Sequence, residues 1–290
     1  MTTYLVTHRT EYGYEDVVTG SYGLAYLLPR QVPGRQRVDA TVVIEPTPID
    51  QREHVDVYGN RALYFSVLRE HDRLVVTATS RVEVAPLPFL PDGPPWERVR
   101  DALNDDAGAE VADAGEFRLD SPLVAMSEAV AAYARLSFPP GRPVVTGAID
   151  LMHRIHAEFG YEPGTTSVST GLDEVLTLRS GVCQDFAHLF VGCLRSLGLA
   201  ARYVSGYLET LPPPGQPKLQ GADASHAWGG VFVPGHGWVD LDPTNDLIVD
   251  DRFVVTAWGR DYRDVPPLSG VIFTESAKST LDVAVDVTRT

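Results

Sequence analysis

The stretch Ser180-Gly-Val-Cys-Gln-Asp-Phe-Ala-His-Leu-Phe-Val-Gly-Cys-Leu-Arg-Ser-Leu-Gly198 reads as one helix. Phe186, Leu189, Phe190, Cys193, Leu194 and Leu197 recur at helical spacing and make a single apolar stripe. Ser180 is a good N-cap type and Gly198 a good stop, so the spacing predicts a helix over 180–198 with Cys183 at N3. Amide dipoles in a first turn stabilise a thiolate, and the thiolate is the nucleophilic form. Cys193 sits in the middle of the apolar stripe, the place for an inert packed thiol. On one helix the two cysteines stand about 15 Å apart. A disulfide needs Cα atoms within roughly 7 Å, so both thiols are expected free, in a reducing compartment.

Downstream of that helix the period changes to strands, at 201–208, 226–233 and 237–241. His226 opens the second of these in Ser225-His-Ala-Trp-Gly-Gly-Val-Phe-Val233. Asp242 follows the third in Gly237-Trp-Val-Asp-Leu-Asp-Pro-Thr244. A thiol nucleophile needs a base, and an imidazole needs an acceptor that fixes its tautomer, so Cys183, His226 and Asp242 together would make a relay. Strand parity tests the idea. A two-residue loop at Gly235-His236 puts 226 and 242 on opposite faces of the hairpin. A three-residue loop of Pro234-Gly-His236, or a bulge at Gly229-Gly230, restores a shared face. With the three-residue loop, 226 stands opposite 244 and Asp242 becomes a diagonal neighbour at ~7–8 Å. Asp242 is then nearer to His226 than Asp240 is. The insert over 211–222 cannot join the sheet and is expected to form one wall of a substrate groove.

Upstream, residues 1–90 alternate as several short strands, as in 4–10, 37–45, 61–68 and 73–84, with a tight turn at Gly59-Asn60. This predicts an antiparallel sandwich or partial barrel. The Pro-rich run from Pro86 to Pro95 ends that unit. Helical spacing then appears from Ser121, an N-cap type followed by Pro122, through Tyr133, and again over 149–159. The expected domains are 1–95, 96–250 and a terminal 251–290 whose strands return to a sheet. His153 and His156 lie three apart on the second helix with no third ligand at suitable spacing, so no metal site is expected there. Asp240, Asp242, Asn245 and Asp246 lack the Gly and terminal Glu of a calcium loop.

Composition excludes other classes. The 290 residues are 44% apolar and 22% charged, ordinary globular usage that fits about two domains. A net charge of −15 repels phosphate backbones and anionic lipid, so neither nucleic acid nor a membrane surface is an expected partner. No apolar run reaches the ~18–20 residues of a membrane span, and no signal-peptide pattern opens the chain. The protein reads as soluble and cytoplasmic, with its oligomeric state open.

The segments Arg179–His188, Leu194–Tyr207, Ser225–Trp228 and Gly237–Thr244 together closely resemble the core of the transglutaminase-like superfamily in order and spacing. His8–Tyr14, Leu28–Arg30, Asp56–Asn60 and Ser80–Val84 are similar to the β-domain that precedes this core in bacterial members. The resemblance implies an α+β fold: a sandwich-like amino-terminal domain, then a papain-like core with the nucleophile helix packed on an antiparallel sheet. It implies Cys183 as nucleophile, His226 as base and Asp242 as the orienting carboxylate. The implied chemistry is acyl transfer from, or hydrolysis of, a peptide or protein amide through a thioester, with no cofactor and no metal. Animal cross-linking members carry a Trp upstream of the nucleophile, whereas this chain has none between Trp96 and Trp228. The candidate oxyanion or substrate contacts are therefore Tyr161, Gln184 and Trp228, beside the Cys183 backbone N–H. The alternative is a catalytically silent module that binds a peptide or partner on the same fold.

Overall fold

The computed structural model describes every residue except 33, 87–91, 106–108, 211–224 and 276–277. Six strands come first: β1 (Thr2–Val18), β2 (Gly20–Ala25), β3 (Gln36–Glu45), β4 (Asp50–Val55), β5 (Arg61–Val67) and β6 (His71–Val84). Helices α1 (Trp96–Asn104), α2 (Ala109–Gly115), α3 (Glu128–Arg135) and α4 (Val144–Glu158) follow. The short β7 (Gly160–Tyr161), α5 (Leu172–Leu178) and β8 (Ser180–Gly181) lead into α6 (Cys183–Ser196). The remainder is β9 (Ala201–Leu208), β10 (Ser225–Val233), β11 (Gly237–Asp242), β12 (Leu247–Ile248), β13 (Phe253–Gly259), β14 (Leu268–Phe273) and β15 (Ser279–Arg289). Among the described residues no helix is long and apolar enough to cross a membrane.

The alternating strands at the amino terminus form two antiparallel four-stranded sheets, β15-β1-β6-β3 and β14-β2-β5-β4. Their inner faces bury Ala25, Leu27, Ile44, Leu63, Phe65, Val67, Leu74 and Val76 between them. Each of the last two strands completes one sheet: β15 pairs with β1 from Tyr4↔Arg289 to Tyr14↔Ser279, and β14 pairs with β2. The second unit is a five-stranded antiparallel sheet, β12-β11-β10-β9-β13, with the helices on one face. Phe253–Gly259, placed by sequence with the terminal strands, is the edge of this core sheet and pairs with β9. The fold is α+β, as the sequence implies.

Helix α6 lies directly on β10. A Cβ on Gly229 would sit 2.4 Å from Phe190 Cδ1, so only glycine lets the helix come this close. Its carboxyl end is tied down by the buried Arg195, whose guanidinium donates to the carbonyls of Phe117, Leu119, Ala201 and Arg260.

Two helix starts differ from the sequence reading. Helix α6 begins at Cys183 with Val182 as N-cap, so Cys183 is N1 and not N3. Ser180 is not a cap because it pairs instead, with Gly181, beside Gly160 and Tyr161 in a short parallel ladder. The capping work falls to Asp185, whose Oδ2 accepts from Val182 N at 2.8 Å and from the Thr166 hydroxyl at 2.6 Å. Likewise α3 starts after Ser127, whose Oγ accepts from Val130 N at 3.2 Å. Ser121 is instead locked with Val124 in a turn by two backbone hydrogen bonds, and Asp261 accepts from Leu123 N.

The sandwich closes the free edge of the core sheet with side-chain amides. Asn60 donates Nδ2 to Trp258 O at 2.8 Å and accepts from Trp258 N at 2.9 Å. Gln36 does the same for Val255, at 2.7 and 3.0 Å. Each amide stands in for the missing neighbour strand of β13. Arg30 stacks over the Trp258 ring at 3.1 Å from its centroid and donates to Asn60 Oδ1.

Candidate active site

Strand pairing determines where the acid–base groups fall. The β10–β11 ladder runs from Val233↔Gly237 to Gly229↔Leu241, leaving a three-residue loop of Pro234, Gly235 and His236. Gly235 and Gly237 take φ of 75° and 93°, the left-handed region the turn requires. With this loop His226 and Asp242 share a face, the parity the sequence argument demands. His226 Nε2 lies 2.7 Å from Asp242 Oδ2. Asp240 is turned elsewhere: both its oxygens lie 3.1 Å from Nη2 of the buried Arg202.

Asp242 is fully buried and has every acceptor site engaged. Oδ1 takes the backbone N–H groups of Thr244 at 2.9 Å and Asn245 at 3.3 Å. Oδ2 takes His226 and the Asn245 side-chain amide, the latter at 2.8 Å. With Nε2 donating to Asp242, the ring nitrogen left for the thiol is Nδ1, and Cys183 is near enough to raise the imidazole pKa. Burial pulls the imidazole pKa down. The hydrogen bonds and charges of Asp242 and Cys183 more than offset that and hold it at about 10.

Cys183 is half-buried at the first position of α6, packed against a cluster that Ala187, Tyr203 and Ala227 of the core form with Tyr26 and Ala62 of the sandwich. It opens into a cleft of about 320 Å³ shared with Tyr161, Leu208, Ser225, His226, Thr244 and Asn245. Cys193 lies further along the same helix, fully buried, with Sγ 3.8 Å from Val130 O and its thiol pKa pushed up by burial. Neither cysteine is in a disulfide.

The three candidate oxyanion or substrate residues fall in different places. Tyr161 lines the cleft beside Cys183, and burial, with the Cys183 charge, raises its phenol pKa. Gln184 turns its amide away, donating to Val168 O at 3.2 Å. Trp228 is 0% exposed and packs behind His226, ring centroids 6.0 Å apart, so it supports the imidazole and does not face the cleft. The expected groove wall over 211–222 lies outside the described residues. Sequence reasoning does not single out Asn245, which there is only one member of an incomplete calcium loop. Its signal was an amide donor three residues beyond the orienting carboxylate.

The sequence pattern of the bacterial transglutaminase-like N-terminal region matches residues 4–83, and that of the transglutaminase-like superfamily core matches residues 139–243. An uncharacterized protein of Mycobacterium tuberculosis is 48% identical over 293 residues, which cover 98% of this chain and 92% of the relative. A protein-glutamine gamma-glutamyltransferase of Pseudomonas aeruginosa is 35% identical over 92 residues, 31% of this chain and 14% of that protein. The crystal structure of a candidate cysteine protease from Cytophaga hutchinsonii superposes with a TM-score of 0.73 at 21% identity, covering 98% of this chain and 90% of that one, and shows the shared fold. The chain belongs to the transglutaminase-like superfamily, with the bacterial N-terminal region of that family ahead of its core.

Proposed function

We propose that the protein is a thiol-dependent acyl-transfer enzyme acting on peptide or protein amides. The observation that supports this most is the imidazole of His226, bonded to buried Asp242 and sharing one cleft with Cys183. In this reading the Cys183 thiolate attacks the amide carbonyl carbon and the C=O electron pair moves onto oxygen. The first-turn N–H of α6 at Cys183 and the Tyr161 hydroxyl donate to that oxyanion. As the tetrahedral intermediate collapses, the C–N bond breaks and His226 gives its Nδ1 proton to the leaving amine. Water or a second amine then attacks the thioester, His226 takes its proton, and Cys183 leaves as thiolate. No cofactor enters this scheme.

The test is a pair of substitutions assayed with an amide acyl donor and an amine acceptor. Cys183→Ala should abolish turnover. Cys193→Ala should keep the rate and lower stability by about 1 kcal/mol, the cost of a small cavity. Product analysis separates hydrolysis from transfer. Alkylation of Cys183 by iodoacetamide at neutral pH no faster than that of a free thiol would favour the silent binding module instead.

A further inference from the structure

The two histidines that sequence reading left without a task meet the turn that carries Asn245. On α4, His156 Nδ1 donates to the Thr244 carbonyl at 2.9 Å, and His153 Nδ1 donates to Asp246 Oδ1. That turn joins β11 to β12, where Asp242 pairs with Leu247. Its backbone supplies two donors to Asp242 Oδ1, and its Asn245 side chain reaches Asp242 Oδ2 at 2.8 Å and lies 3.2 Å from His226 Nε2. Asp246 holds φ of 56°, a left-handed conformation that Asp adopts more readily than most residues with a Cβ. The turn is held from inside by Asp242 and by its pairing into β12, and from outside by the two imidazoles. Among the described residues no group of three ligands surrounds them that could hold a metal ion.

We propose that His153 and His156 are positioning residues: they hold the Thr244–Asp246 turn so that Asn245 and two backbone N–H groups keep Asp242 aimed at His226. The inference rests on the reading of Cys183, His226 and Asp242 as an acyl-transfer site. The His153 side chain is 55% exposed, and exposed pairs of this kind contribute little to stability. Their effect is therefore expected in geometry, where displacing a reacting group by about 1 Å costs up to 100-fold in rate.

The experiment uses the full chain with His156→Ala, His156→Asn, His156→Gln and the double His153→Ala/His156→Ala variant. Asparagine places its Nδ2 donor where the imidazole Nδ1 stands, whereas glutamine places its donor a bond further out. The rate of Cys183 alkylation is followed from acid to alkaline pH, with the ¹⁵N signals of His226 and the thermal midpoint in parallel. Alkylation by the alanine variants should fall roughly tenfold, with the His226 titration moved to lower pH and little change in midpoint. His156→Asn should return the rate to within about threefold of wild type, and His156→Gln should not. Alanine variants with an unchanged pH profile, or rescue by glutamine as good as by asparagine, would overturn the proposal. If wild-type Cys183 is itself unreactive, the acyl-transfer reading fails. The ¹⁵N titration of His226 in the same variants still decides whether the histidines position it.

Discussion

Replacing Asp242 by asparagine changes one charge and one acceptor and almost nothing in size. In the wild type four donors converge on this carboxylate: Thr244 N, Asn245 N, Asn245 Nδ2 and His226 Nε2. The introduced amide would leave its oxygen to the two backbone donors. Its NH₂ would then face two further donors, the Asn245 amide and the His226 Nε2–H. The cheapest relief is for His226 to switch tautomer, accepting at Nε2 and carrying its proton on Nδ1. An imidazole protonated at Nδ1 cannot take the thiol proton, and a wrong tautomer of this kind costs about 10³- to 10⁴-fold in rate. The imidazolium also loses its main stabiliser. Burial lowers its pKa, and without Asp242 only Cys183 opposes that, so the value falls below the wild-type figure of about 10. The sign follows from linkage. A raised folded pKa contributes its full stability below pH 6.5 and loses it as pH climbs to about 10. Wild type should therefore exceed Asp242→Asn most in urea resistance near pH 6, with the gap closing towards pH 10. Alkylation of Cys183 across the same range should show the alkaline limb moved down in the variant. A variant that reacts within about threefold of wild type, with the same alkaline limb, would refute the reasoning.

Asn60→Ala strips the edge of β13 of its partners at Trp258 N–H and C=O, and it should cost about 3 kcal/mol given the penalty for buried unpaired backbone groups. An unmoved urea midpoint would show that this edge is satisfied some other way. His8 and His188 are both buried and held neutral, each with its pKa lowered by burial to about 4. Their unfolded forms take up protons first, so stability should be full above pH 6.5 and fall as pH drops towards 4. His8→Gln should make that acid decline shallower, as followed by urea unfolding at stepped pH.

How much of the site was legible depends on which signals were local. The parity of β10 and β11 was readable because strand side chains alternate with a period of two. Only a three-residue loop or a bulge lets His226 and Asp242 meet, and the loop is what the chain adopts. The preference for Asp242 over Asp240 followed from the same register. The start of α6 was not readable. Ser180 has the right chemistry for a cap, but its backbone is claimed by Gly160, far earlier in the chain, in a two-residue ladder that no periodicity announces. The contacts of His153, His156 and Asn245 were hidden for a similar reason. They bond through single atoms to partners that no local pattern names, since exposed polar residues on a helix or turn carry no periodic signal.

The Pro-rich run after β6 looks like a seam between two independent units, yet the physical boundary is different. β15 and β14 come from the far end of the chain to complete the two sandwich sheets, so the sandwich cannot close until the core has been threaded between its parts. In return the sandwich supplies Gln36 and Asn60 to an edge strand of the core sheet, and Tyr26 and Ala62 to the cluster against which Cys183 packs. Asn60 shows the difference between the two views. Beside Gly59 it reads as a turn residue, and it does sit in a turn, with its N–H bonded to Asp56 Oδ1 at 2.8 Å. Its side chain meanwhile is fully buried and replaces a hydrogen-bonding strand for the other domain. A core cut out at the Pro-rich seam would expose the outer edge of β13 and lose Tyr26 and Ala62 from the cluster against which Cys183 packs. The amino-terminal domain is thus part of the candidate site's architecture and not an appendage to it.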